Sequence, residues 1–68
     1  MLTELQNLKE KEIELKAEVT KWIDRVATAA TLYSDEYIEE LVRYRDKTIE
    51  ELRVLQERIQ IVEDLLDN

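Results

Sequence analysis

Adjacent carboxylates are the first feature of this sequence that suggests chemistry. They occur as three pairs, Glu39-Glu40, Glu50-Glu51 and Glu63-Asp64. General acid–base catalysis needs two carboxylates that point into one pocket, whereas neighbouring residues on a helix do not face each other. The sequence also has no His, and a small helical chain offers no obvious pocket. We therefore expect no catalytic residues and no enzymatic activity.

Metal and cofactor sites are disfavoured by residue types that the sequence lacks. Among its 68 residues there is no Cys and no His, which removes the usual zinc and haem ligands and the Glu-x-x-His motif of di-metal bundles. Without Gly, the sequence also has no phosphate-binding loop. We expect neither a metal nor a cofactor.

The charge balance disfavours direct contact with nucleic acid. The net charge is −7, and most of it arises from Asp35 onwards. Arg43, Arg45 and Lys47 surround Tyr44 as in a small nucleic-acid patch, but they fan around a helix and acidic neighbours offset them. A basic protein is a better candidate partner, although the acidity has an alternative role in solubility.

The elements that carry these residues are predicted to be helices. Apolar residues recur at helical spacing, and Gly and Pro are absent. A seven-residue repeat with Ile38 at position a describes the second half of the chain. In that register position a holds Ile38, Arg45, Leu52, Ile59 and Leu66, position d holds Leu41, Thr48, Leu55 and Val62, and position e adds Val42 and Ile49. This width is typical of a helix packed in a bundle.

A similar repeat describes the first half of the chain, after a capping-box pattern at Thr3 and Gln6. Position a holds Leu5, Glu12, Val19 and Val26, position d holds Leu8, Leu15, Trp22 and Ala29, and position e holds Ile23 and Ala30. The two repeats are out of register, and Ser34 with Asp35 and Glu36 favours a new helix start.

These patterns predict an all-α, antiparallel helical hairpin that forms one domain over residues 1–68. We expect helix 1 at about 3–31, a turn at about 32–35 and helix 2 at about 35–66. An unbroken helix through Leu32 is the alternative, because no Gly or Pro forces a break. A turn centred at Leu32 and Tyr33 would place Glu12 opposite Arg53. It would also bring the Arg45 guanidinium onto the face of Trp22.

A second apolar flank predicts self-association. Val54 and Ile61 share position c, away from the a and d stripe, and Leu65 joins them from the next turn. A hairpin covers one stripe only, and a chain of this size has a marginal core alone. We expect a homodimer, as a four-helix bundle or coiled coil. The self-association residues would be Ile13, Val54, Ile61 and Leu65.

A candidate surface for another protein lies near the start of helix 2. Tyr residues are enriched among those that dominate interface energies, and Tyr37 and Tyr44 lie at position g. The alternative is that they only flank the intramolecular core. The proposed partner-binding residues are Tyr33, Asp35, Glu36, Tyr37, Glu39, Glu40 and Tyr44.

The order of apolar segments along the chain resembles a known pattern. It consists of the leucine-spaced first helix, the stretch from Ala27 and Thr28 to Thr31, and then Ile49, Leu52, Leu55 and Ile59. It is similar to the N-terminal helical region of phage late-gene transcription regulators of the ArpU/RinA type. Those regulators continue into a DNA-binding helix-turn-helix domain, and these 68 residues match only the helical region before it, so DNA binding is not carried over. The resemblance implies a phage or mobile-element origin and a dimerising or partner-binding role.

Three functional hypotheses follow. The first is a non-enzymatic protein–protein interaction module that self-associates and occupies another protein's surface. The second is an acidic decoy inhibitor of a nucleic-acid-binding protein or host enzyme, and the third is a structural coiled-coil part of a larger assembly. We expect no membrane span, because no apolar run approaches about 18 residues, and no signal peptide, because the sequence starts Met1-Leu2-Thr3-Glu4. The expected location is the cytoplasm, or the host cytoplasm for a phage protein.

Overall fold

The computed structural model describes residues 3–32 and 34–67, which form two helices and no strand. Helix α1 spans Glu4–Leu32 and helix α2 spans Asp35–Leu66, and the two pack against each other. The predicted all-α helical hairpin is therefore confirmed. The unbroken rod through Leu32 is wrong, because α1 ends there and Ser34 has an extended backbone with φ −70° and ψ 157°. Neither described helix is long and apolar enough to cross a lipid bilayer.

The two helices begin differently. At α1, the Thr3 backbone N–H donates to Gln6 Oε1 at 2.9 Å, and the Gln6 N–H donates to Thr3 Oγ1 at 3.2 Å. This reciprocal pair is the predicted capping box, which satisfies two backbone donors that have no partner inside the helix. At α2, Ser34 occupies the N-cap position as predicted, but its side chain makes no capping hydrogen bond.

The core follows the predicted a and d positions. Each of these residues is buried or mostly buried in both helices, except Leu66 near the end of α2. Leu15, Leu55 and Ile59 form the centre of the core, with Leu5, Leu8 and Leu52 packed around it. Thr48 is a buried polar residue within this core, and its hydroxyl donates to the Tyr44 carbonyl at 2.8 Å. The e positions contribute less than predicted, since Ile23 and Ile49 stay exposed.

Cross-helix ion pairs establish an antiparallel register. Lys9 Nζ lies 3.3 Å from Glu63 Oε1, and Arg58 Nη2 lies 4.0 Å from Glu4 Oε1. In the heptad numbering the first pair joins two e positions and the second joins two g positions. The hairpin therefore has an e side and a g side, one on each flank of the core.

The predicted Glu12–Arg53 ion pair does not form. Arg53 lies at position b, which points away from α1, and it binds Glu50 and Glu57 of its own helix instead. The gap between the helices is also centred between residues 33 and 34, slightly later than predicted. The physical cause is local: carboxylates three and four residues away lie within reach of Arg53 along the same helix.

The molecule is thin and long, with principal extents of 51 × 19 × 13 Å. Its Cα radius of gyration is 15.6 Å, against about 11 Å for a compact domain of this length. Its accessible surface is 5479 Å², whereas a typical folded monomer of 8.2 kDa exposes about 4,500 Å². Two helices alone leave one side of each uncovered.

Candidate interaction surfaces

Three of the predicted self-association residues share the g side of the hairpin. Val54 and Ile61 at position c and Leu65 at position g are between 51% and 69% exposed. We call these three residues the α2 flank. Val54 also lines an open groove between the helices, whose other lining residues are Leu8, Lys11, Leu15, Glu50, Glu51, Leu55 and Arg58. The groove thus has an apolar floor and charged rims of both signs.

Ile13, the fourth predicted self-association residue, lies on another face. It falls at position b of α1, one turn after Lys9, whose ion pair with Glu63 marks the e side. Ile13 is 68% exposed, and the exposed Ile23 and Ile49 belong to the same side. The structure therefore does not bring Ile13 together with the α2 flank. Periodicity alone showed that Ile13 was outside the core stripe but not which side it joined.

The predicted partner-binding residues divide between two sides of α2. Glu36, Tyr37, Glu40 and Tyr44 lie at positions f, g, c and g, next to one another on the g side. Asp35 and Glu39 lie at e and b, on the opposite side. Tyr37 lines a shallow cleft with Arg25, Ala29 and Leu41, near the end of the hairpin where the helices connect. Tyr33 lies outside the described residues.

The acidic residues at the start of α2 are solvent-exposed. Within the described parts of the chain, no ion pair involves the carboxylates of Asp35, Glu36, Glu39 or Glu40. Asp35 and Glu36 lie in the first helical turn, where the helix dipole favours negative charge. Their charges remain available to a basic group from another molecule.

An aromatic pair that the sequence did not predict connects the helices on the g side. The rings of Trp22 and Tyr44 stack with their centroids 5.2 Å apart and their planes 13° from parallel. The guanidinium carbon of Arg25 lies 5.1 Å from the centroid of the Trp22 ring. Position g of Tyr44 and position d of Trp22 could have indicated this contact, since both fall on the same side of the seam.

The expectation that Arg45 lies on Trp22 is therefore wrong. Arg45 donates hydrogen bonds to its neighbour Asp46 from Nε at 3.2 Å and from Nη2 at 3.1 Å. Arg25 takes the predicted role because it lies three residues after Trp22 on the same helix face. One proposed interface residue, Tyr44, is consequently also part of the intramolecular packing.

The adjacent carboxylate pair Glu50-Glu51 includes a residue with a perturbed pKa. Arg53 donates to both Glu50 oxygens, at 3.0 Å and 2.6 Å, and this hydrogen bonding lowers the Glu50 pKa below its ordinary value. The same carboxylate raises the pKa of Arg53, with a smaller contribution from Glu57. A lowered pKa keeps Glu50 ionised, as in any surface ion pair, and does not suit it to proton transfer at neutral pH.

The described residues also contain no cluster of three or more acidic side chains placed to hold a metal ion. Neither protein-family models, curated proteins nor solved structures match this chain. The resemblance to ArpU/RinA-type regulators stays a prediction. The case for a function therefore depends on the surfaces of the hairpin.

Proposed function

We propose that this chain is a non-enzymatic protein–protein interaction module, which self-associates through the α2 flank and acts by covering the surface of another protein. The observation that carries the proposal is the exposure of Val54, Ile61 and Leu65 on one side of a helix whose other side already packs on α1. Several large apolar side chains exposed on one side of a helix favour an association site.

The size of the molecule supports the same proposal. Its accessible surface exceeds that of a typical monomer of its mass by roughly 1,000 Å². A standard protein–protein interface buries about 800 Å² on each partner. Covering the α2 flank with a second molecule would bring the exposed surface per chain into the ordinary range.

Aspartate substitutions on the α2 flank test self-association. We expect the wild-type chain to have twice the monomer mass by light scattering at micromolar concentration. Val54→Asp combined with Ile61→Asp should give the monomer mass, because a buried, unpaired carboxylate is strongly unfavourable in an interface.

Ile13→Asp combined with Ile23→Asp is the matched control, since it also adds two carboxylates at exposed isoleucines but on another face. That variant should remain a dimer, and circular dichroism should show unchanged helix content in all variants. A monomeric wild-type chain would contradict self-association. A dimeric Val54 and Ile61 double variant would contradict the choice of flank.

An acidic decoy that blocks a nucleic-acid-binding protein or a host enzyme is the second candidate. The exposed carboxylates of Asp35, Glu36, Glu39 and Glu40, which have no ion-pair partner among the described residues, favour it.

In either case we place the chain in the cytoplasm, or in the host cytoplasm if it is phage-encoded. The absence of Cys from the sequence is compatible with a reducing compartment.

A further inference from the structure

We propose that the molecule covering the α2 flank is a second copy of this chain, whose α2 runs antiparallel to the first along positions c and g. This inference rests on the self-association proposed above and adds its orientation and its charge contacts. The two-fold axis passes beside Val54, close to the middle of the exposed stretch from Tyr44 to Leu65.

The order of side chains at successive g positions determines the orientation. Tyr44, Glu51, Arg58 and Leu65 follow one another at seven-residue intervals, and all four are exposed. An antiparallel second copy places Arg58 of one chain against Glu51 of the other, twice in each dimer. It also places Tyr44 against Leu65 of the second copy. A parallel copy in register would oppose Glu51 to Glu51 and Arg58 to Arg58, and like charges across an interface are unfavourable.

Both charged residues are available for this contact. Glu51 takes part in none of the ion pairs formed within residues 3–32 and 34–67. Arg58 contacts Glu4 at 4.0 Å, the longest of the ion pairs in the described residues. At that distance and exposure the pair with Glu4 contributes little, so Arg58 can turn to a second carboxylate.

Apolar contacts accompany the charge pairs. Val54 of each copy meets its equivalent near the axis, above the groove floor formed by Leu8, Leu15 and Leu55. Ile61 lies against the aliphatic stem of Lys47, which is at position c of the second copy. The stretch from Tyr44 to Leu65 is about 31 Å long at 1.5 Å per residue. A contact of that length along a helix is compatible with an interface of standard size.

Charge reversal on the full chain tests the orientation. Glu51→Arg alone and Arg58→Glu alone each turn two attractive pairs into two repulsive ones. We expect each variant to raise the dimer dissociation constant at least about tenfold.

An equimolar mixture of the two variants should form a heterodimer. In that pairing the arginine introduced at position 51 of one chain faces the glutamate introduced at position 58 of the other. The unchanged Arg58 of the first chain faces the unchanged Glu51 of the second, so both contacts are again attractive. Capture of the untagged variant by a tagged one, followed by native mass spectrometry, measures this directly.

Two controls separate the contact from general charge effects. Glu4→Gln removes the intramolecular partner of Arg58 and should leave the dimer intact. Glu10→Arg reverses an exposed charge at position f of α1 and should also leave it intact. The double variant Glu51→Arg with Arg58→Glu completes the test, because it exchanges the two charges and restores both attractive pairs in an antiparallel dimer but leaves like charges opposed in a parallel one; we expect it to dimerise like the wild type.

Two results would overturn the orientation while leaving self-association in place. One is a dimeric wild type whose dissociation constant does not change in either variant. The other is a dimeric wild type with two monomeric variants that fail to combine. A monomeric wild type would instead overturn the self-association on which the orientation rests.

Discussion

At the scale of single residues, Trp22 and Tyr44 connect the two helices where the aliphatic core is thinnest. Thr48 and the polar Arg45 occupy core positions in this region, so fewer aliphatic carbons are buried there than around Leu15 and Ile59. The stacked rings supply the missing contact area, and Arg25 covers the indole further. We infer that this aromatic pair holds the register of the half of the hairpin nearer the helix connection.

Replacement of Tyr44 tests this inference. Tyr44→Leu should lower the free energy of unfolding by about 1 kcal/mol, because a stacked aromatic pair contributes roughly 0.5–1.5 kcal/mol beyond its buried area. Tyr44→Phe keeps the ring and should lower the free energy of unfolding much less. Urea denaturation at a fixed protein concentration, followed by Trp22 fluorescence and circular dichroism, measures both. Equal losses in the two variants would show that the stack does not stabilise the fold.

At the scale of the helices, the two N-termini differ in how well they are capped. Thr3 and Gln6 exchange hydrogen bonds at the start of α1, whereas the Ser34 side chain at the start of α2 accepts none. The first turn of α2 is stabilised instead by Asp35 and Glu36 through the helix dipole. The hydroxyl of the N-cap residue therefore contributes more to the stability of the fold at α1 than at α2.

Alanine substitutions of the two N-cap residues test this difference. We expect Thr3→Ala to lower the free energy of unfolding by about 1 kcal/mol, as is typical for the loss of a bonded cap. Ser34→Ala should lower it by only a few tenths of a kcal/mol, because no capping hydrogen bond is lost. Thermal unfolding followed by circular dichroism compares the two variants. A larger effect at Ser34 would contradict the difference between the two caps.

At the scale of the whole molecule, the long sides of the hairpin are chemically different. The g side carries the aromatic stack, the groove and the α2 flank, and the e side carries the Lys9–Glu63 pair and the exposed Ile13, Ile23 and Ile49. Tyr44 belongs both to the intramolecular stack and to the proposed dimer contact. A foreign protein that binds Tyr44 would therefore compete with the second copy.

Ionic strength distinguishes an apolar contact from an acidic decoy. A decoy should release its partner as NaCl rises from about 0.1 to about 0.5 M, because salt screens exposed charges over about 10 Å or less. Glu39→Lys with Glu40→Lys should abolish retention of that partner on the tagged chain, whereas Glu10→Lys, on α1, should not. Proteins that stay bound at high salt and tolerate the double substitution would contradict the decoy and favour the apolar module.

The sequence alone was sufficient to predict the helices and most of the core, although Leu66, Ile23 and Ile49 are exposed. Helix formation and the a and d pattern depend on neighbours within about one turn, and such local information is fully present in the chain. For the same reason the capping box at Thr3 and the N-cap position of Ser34 were predictable. The approximate position of the break was predictable because the two apolar repeats are out of register and Ser34 offers an N-cap, although the sequence left an unbroken helix open as the alternative.

Only the tertiary structure decided which surface residues lie together. Three findings depend on the register between the helices. They are the Trp22–Tyr44 stack, the contact of Arg25 instead of Arg45 with the Trp22 ring, and the separation of Ile13 from Val54. That register is set by the connection and by packing between residues far apart in the chain, so a shift of one or two positions exchanges every cross-helix neighbour. Intrahelical partners three or four residues away also compete for each charge, as Glu50 and Glu57 do for Arg53.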